Sequence, residues 1–256
     1  MRKDIDVDQF PEWEPFAHAV EQRRPDTGTW CEAWTVRDVV VHQAANAEEL
    51  ARVLGAHLAG DPVATRGFAD REAPYRAMAD ADLWSVLVAR MAELSEVVRA
   101  GAAVPADTDV AWTGRTMKVP WFAEHMREEL ALHRWDITGD DVTATSTLAE
   151  AWMTDHSVVA VGRPLLARGV ALLGIGVDER IEARLRVPGC DDVALSAEYD
   201  RTTIELVPPE GVATLETDAA ARVLLLWGRR PADPARIHSS AGPEALGRVR
   251  SLLSGY

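Results

Sequence analysis

The amino-acid sequence predicts an α+β protein: a four-helix bundle over residues 1–145, then a smaller unit of mixed strands and helices over residues 146–256. Three observations predict it. Up to Ile137 the apolar residues recur at helical spacing in four segments. From Glu179 onward the spacing changes to alternation, the period of a strand. Within the last of the four helical segments lies Glu129-Leu-Ala-Leu-His133, a carboxylate and an imidazole one helical turn apart. They share a stripe with Phe122, Met126 and Ile137 that is otherwise apolar. Polar groups on such a stripe need a compensator, whether a metal ion, an arginine or a backbone carbonyl.

In chain order, residues 9–22 form a short helix with Phe10, Trp13, Phe16, Ala17 and Val20 as its apolar set. Arg24-Pro-Asp-Thr-Gly28 reads as a loop. Thr35-Val-Arg-Asp38 fits a capping box, so a helix starts near Trp34 and runs on the stripe Val36, Val40, Ala44, Ala47, Leu50, Leu54 and Leu58. His42 lies off that stripe, on a mixed face with Val39, Asn46, Glu49 and Val53 that suits a cleft. Gly60 to Pro74 reads as a Gly/Pro/charge-rich connection. After Asp82 a clear helix carries Leu83, Leu87, Met91, Leu94 and Val98. Gly101 to Gly114 reads as a loop, and Pro120 is acceptable in the first turn of the Glu129/His133 helix.

Beyond Gly139 the segment from Ser146 to Leu173 is expected to be helical, kinked or split near Gly162 and Pro164. Strands are expected at Ile181–Val187, Thr202–Val207 and Val212–Glu216. An apolar helix from Ala219 to Trp227 ends at Gly228, and a short helix spans Pro243 to Leu253.

Charge and cysteine content narrow the function classes. A net charge of −14 argues against a nucleic-acid or anionic-membrane partner. Cys31 and Cys190 are far apart and read as free thiols of a reducing cytoplasm. The first residues lack an apolar signal core, and no apolar run approaches a membrane span. A soluble cytoplasmic protein, a monomer or small homo-oligomer, is expected.

His42 from one helix with Glu129 and His133 from another makes a set suited to zinc or another borderline divalent ion, with a fourth position open. Spacing alone leaves a plain i,i+4 polar pair open, with His125 as a rival ligand or a partly exposed surface histidine.

Several segments then resemble one family. Trp34-Thr-Val-Arg-Asp-Val-Val-Val-His42 is similar to the first motif of the mycothiol-dependent maleylpyruvate isomerase family, part of the DinB-like bundle superfamily. Trp112-Thr-Gly114 with Met117, then Glu129-x-x-x-His133-x-Trp-Asp-Ile137, resembles its second. Ala220-Ala-Arg-Val-Leu-Leu-Leu-Trp-Gly-Arg229 resembles a helix end in its sterol-carrier-like C-terminal domain. The resemblance implies a DinB-like bundle with His42, Glu129 and His133 as ligands of a divalent metal, usually zinc, and mycothiol as thiol cosubstrate. A thiol at such a metal has a lowered pKa, and the thiolate is the nucleophile.

The expected activity is thiol transfer (an S-transferase) to an electrophilic small molecule. Cis–trans isomerisation of the maleylpyruvate type and metal-dependent hydrolysis are the alternatives. A non-enzymatic binding bundle fits the retained ligand set less well. Asp136 either orients a ligand histidine or meets solvent or Arg134. Arg229 either binds a substrate carboxylate or serves the helix dipole, and Arg230 is not separable from it. Trp34 and Trp112 read as packing residues, and Cys31 as a buried small hydrophobe. Cys31-Glu-Ala-Trp34 replaces the family's Cys-Pro-Gly-Trp, which adds a charge near the His42 helix and leaves the substrate open.

Overall fold

The computed structural model describes residues 5–253, with the side chains at 160–165 and 168 left aside. It divides into two compact units, one ending at Gly139 and one beginning at Asp140. A boundary at 145/146 would instead cut through a helix, Val142–Leu148.

The first unit is helical. Its elements are α1 (Trp13–Glu21), α2 (Val36–Leu58), α3 (Phe68–Arg76), α4 (Asp80–Gly101), β1 (Asp109–Trp112), β2 (Arg115–Lys118) and α5 (Trp121–Thr138). Helix α2 starts where the capping box places it: Thr35 accepts from the Asp38 amide and Asp38 accepts from the Thr35 amide. It packs against α3, α4 and α5, and α1 packs against α5. Phe10, Phe16, Leu50, Leu54, Leu87, Met91, Leu94, Phe122, Met126 and Leu130 are buried in one core cluster between these helices. The mixed face of α2 is buried too: His42, Asn46 and Glu49 are all withdrawn from solvent, so α2 is enclosed on both sides.

Two connections turn out to be structured. The 60–74 stretch holds most of α3, a helix with Pro74 inside it, despite its loop-like composition. The 101–114 stretch ends in β1, which pairs with β2 from Asp109↔Lys118 to Trp112↔Arg115. The two turn residues, Thr113 and Gly114, both have positive φ (43° and 78°), the conformation of a type I′ hairpin. Helix α5 ends at Gly139, whose φ of 74° and ψ of −154° are open to glycine alone.

The second unit contains α6 (Val142–Leu148), α7 (Ala151–His156), a π-helical turn (Ser157–Val161) and α8 (Gly162–Leu173). The sheet follows: β3 (Arg180–Arg186), β4 (Asp192–Glu198), β5 (Thr202–Val207), β6 (Leu215–Thr217) and β7 (Ile237–Ser239), with α9 (Ala219–Leu226) before β7 and α10 (Gly242–Leu253) after it. The strand order is β5-β4-β3-β6-β7, antiparallel except for the parallel β3/β6 pair. Ile181, Ala183 and Leu185 alternate to the buried face and meet Val193, Leu195 and Ala197 of β4. Strand β4 carries little sequence signal, because small Ala194 and Ser196 give it low β propensity, and its pairing supplies the rest. Helices α8 and α10 cover the sheet and approach each other at Gly169, where a Cβ would overlap the Leu252 carbonyl. Among the described residues no helix is long and apolar enough to cross a membrane.

Candidate metal centre

Helices α2 and α5 bring three side chains to one point. His42 Nε2 lies 3.2 Å from Glu129 Oε2, and His133 Nε2 lies 3.3 Å from the same oxygen. The two imidazole rings are 4.9 Å apart, and the three ligand atoms all fall within 4.8 Å of one another. All three residues are buried. The helices are pinned at this level by Gln43, whose Nε2 donates to the Glu129 carbonyl at 3.1 Å.

The far side of each imidazole meets a carboxylate. Glu72 Oε1 is 3.1 Å from His42 Nδ1, and Asp136 Oδ2 is 2.8 Å from His133 Nδ1. A carboxylate there favours the proton on Nδ1 and leaves the Nε2 lone pair facing inward. Two inward lone pairs crowding one carboxylate oxygen repel unless a proton or a cation lies between them. Glu72, Glu129 and Asp136 are all buried, so the cluster is rich in negative charge. A divalent cation held by His42, Glu129 and His133 fits this donor set and this charge balance.

Electrostatics point the same way. When protons rather than a cation lie between these atoms, burial drives the Glu129 carboxyl upward, but hydrogen bonds donated by His133 and His42 and the nearby histidine charges outweigh it. The net result holds Glu129 well below the ordinary carboxylate range. Burial likewise raises Glu72, and its contacts with His42 and Arg76 reverse the shift to a net lowering.

The surroundings are part aromatic and part ionic. Trp34 stacks on His133, with ring centroids 5.5 Å apart and planes 5° from parallel, and lies 5.2 Å from His42. It is a wall of the centre as well as a packing residue. Phe68 of α3 packs on His42 at 5.3 Å. Trp112 is buried against Phe122 and His125, a packing role. His125 is buried, not on the surface, and its Nε2 is 3.7 Å from Glu129 Oε1. The Trp112 ring packs edge-on against the imidazole. Cys31 is half-buried rather than buried, in a loop whose flanking Trp30 and Glu32 are exposed.

The ligands expected from sequence thus converge, and Asp136 sits buried behind His133 and away from solvent. Arg134, two residues earlier, contacts Thr138 at 3.4 Å. Arg229 belongs to the second unit, just after α9, where its Nη1 donates to the Trp227 carbonyl at 3.0 Å. Arg229, Arg230 and Arg250 line a small depression of about 130 Å³. Glu72 is a site residue that sequence reasoning missed. Its one visible signal is the i,i+4 relation to Arg76, whose Nη2 is 2.5 Å from Glu72 Oε2.

The fold and the site define a class: a helical bundle with a buried two-histidine, one-carboxylate centre, in a chain that also carries a small α+β unit. The family described as "Mycothiol maleylpyruvate isomerase N-terminal domain" matches residues 8–138, more than half of the 256. The chain belongs to that family. Two solved structures share the fold: the mycothiol-dependent maleylpyruvate isomerase, with a TM-score of 0.58, and a histidine-to-alanine mutant of that isomerase, at 0.59. Each is 16% identical, over 92% of this chain and 91% of the other. No curated protein matches the chain.

Proposed function

We propose that this protein is a metal-dependent enzyme that uses mycothiol as its thiol cosubstrate to isomerise a small molecule of the maleylpyruvate type about a double bond. The observation that carries the reading is the convergence of His42 Nε2 and His133 Nε2 on one Glu129 oxygen, with a carboxylate behind each ring. Family membership supports isomerisation over the thiol transfer expected from the sequence, because the matched family and both similar structures carry the isomerase name.

His42, Glu129 and His133 would hold the ion, zinc being the metal such ligands favour. A bound divalent ion lowers the pKa of a thiol beside it, which yields thiolate at neutral pH. Glu72 keeps the Nδ1 proton of His42 in place, so that ring's Nε2 lone pair stays turned toward the ion, and Asp136 sets a carboxylate 2.8 Å from His133 Nδ1. Trp34 and Phe68 line the two histidines with apolar surface and restrict water around them. Arg229 is assigned to a substrate carboxylate on its sequence resemblance, and the cytoplasm, with its reduced thiol pool, is the expected compartment.

Isomerisation returns the thiol unchanged, whereas transfer consumes it. The test is zinc-loaded protein with substoichiometric mycothiol and excess maleylpyruvate, followed by absorbance and by thiol titration. Many turnovers per mycothiol with the thiol recovered are expected. Loss of one thiol per product indicates transfer, and turnover without mycothiol rejects the reading.

A further inference from the structure

We propose that Arg71 is a carboxylate anchor of this site, a guanidinium on α3 one ring away from His42 that binds an acidic group of the small-molecule substrate distinct from any taken by Arg229. The inference rests on the functional reading above and adds to it a specificity residue.

Arg71 is only 8% exposed. Its Nε is fully enclosed with no hydrogen-bond partner, and among the described residues no carboxylate or carbonyl bonds to its guanidinium. A buried N–H left without a hydrogen bond on a charged group is costly. Its neighbours are not in that position. Arg52 and Arg66 both bond to Glu49, with Arg52 Nη2 2.6 Å from Oε1 and Arg66 Nε 2.7 Å from Oε2. Arg76 takes Glu72 Oε2, while Glu72 Oε1 faces His42. The acids around α3 are thus committed to other groups, and one arginine is left over.

The leftover charge lies one aromatic ring away from the centre. The Arg71 guanidinium carbon lies 5.1 Å from the Phe68 ring, and that ring packs on His42. Burial pulls the Arg71 pKa down, against the attraction of Glu129, Glu49 and Glu72. Glu129 acts on Arg71 through space alone, so an acidic group reaching this guanidinium finds a fork of donors that no protein carboxylate holds.

The fork is also preorganised. Glu72, next in sequence, is fixed by His42 and Arg76. Arg37 Nη2 donates to the Arg76 carbonyl at the end of α3, and Glu49 holds Arg66 just before its start. Little ordering cost remains when an anion binds. Sequence alone does not reveal this feature, because Arg71 falls in a stretch that reads as a loop.

The test uses maleate as a carboxylate probe and neutral maleamide as its control, on zinc-loaded full-length protein, with binding followed by calorimetry and tryptophan fluorescence. Wild type is expected to bind maleate in preference to maleamide. Arg71→Met is expected to weaken maleate roughly 10- to 100-fold, with maleamide and zinc content unchanged, the usual loss for a charged hydrogen-bonded contact. Arg71→Lys keeps the charge but not the fork, and an intermediate loss is expected. Maleate binding within twofold of wild type in Arg71→Met overturns the proposal. If Arg71→Met does not fold, Arg71→Lys decides: wild-type affinity overturns it and a selective loss of maleate supports it. Maleate binding needs no turnover, so a wild type that binds maleate through Arg71 yet isomerises nothing overturns the functional reading and leaves the anchor standing.

Discussion

Removing the charge of Glu49 tests how the polar shell around the centre is held. Glu49 is wholly buried on α2 and accepts from both arginines and from the Arg66 backbone amide at 2.7 Å. It therefore fastens the chain just ahead of α3. Burial raises its pKa, the bonds from Arg52 and Arg66 outweigh burial, and the value settles at about 2 against an ordinary 4.5. At about 1.4 kcal/mol per tenfold change in protonation, that gap corresponds to roughly 3 kcal/mol. Solvent screens part of it, because the Arg52 and Arg66 side chains are 31% and 34% exposed. Glu49→Gln is therefore expected to cost about 1–2 kcal/mol at neutral pH, with a fall in Tm of roughly 3–6 °C for a unit of this size. A depressed carboxyl stabilises fully above its unfolded pKa and loses that contribution as pH falls toward its folded pKa. The window here runs from 4.5 down to about 2. Thermal unfolding by tryptophan fluorescence at neutral pH and near pH 3 reads it: the gap between wild type and variant should shrink by about half or more at the lower pH. An undiminished gap refutes the electrostatic account and leaves packing as the cause.

Other consequences follow from single contacts. Glu72→Gln removes the carboxylate behind His42 and is expected to weaken zinc roughly 10- to 100-fold in a competition titration, with the fold retained. An unchanged affinity means that Glu72 does not orient the ligand. Gly139→Ala forces a side chain into a glycine-only conformation, with its Cβ 2.7 Å from Trp30 Nε1. A loss of about 2 kcal/mol or more in denaturant unfolding is expected. Gly169→Ala is expected to destabilise the second unit by a similar amount, since its Cβ collides with the Leu252 backbone. Gly247→Ala on α10, with open space around it, should be neutral or stabilising by up to about 1 kcal/mol.

The ligand set is legible in the sequence because helical spacing exposes it. Glu129 and His133 interrupt an apolar stripe, and the Thr35 capping box sets the phase of the helix that carries His42. What lies behind the ligands is harder to read. Asp136 shares their helix and is visible as a candidate, whereas Glu72 and Arg71 are hidden between Gly60 and Pro74. That composition argues for a loop. Helix α3 forms because tertiary bonds, from Glu72 to His42 and from Arg37 to the Arg76 carbonyl, hold a sequence with little apolar periodicity of its own. The β1–β2 hairpin is obscure for a different reason, since four-residue strands offer too short a window for alternation to register. His125 reads as a rival ligand or a surface residue because spacing says nothing of the hairpin whose Trp112 packs against it.

Metal content is the most direct test of the account. Protein dialysed against zinc and then against metal-free buffer is expected to retain about one divalent ion per chain by elemental analysis. His133→Ala, unfolding at a similar temperature, is expected to retain far less. A folded wild type that keeps no metal under these conditions contradicts the reading of His42, Glu129 and His133 as a metal centre, and the thiol chemistry built on it.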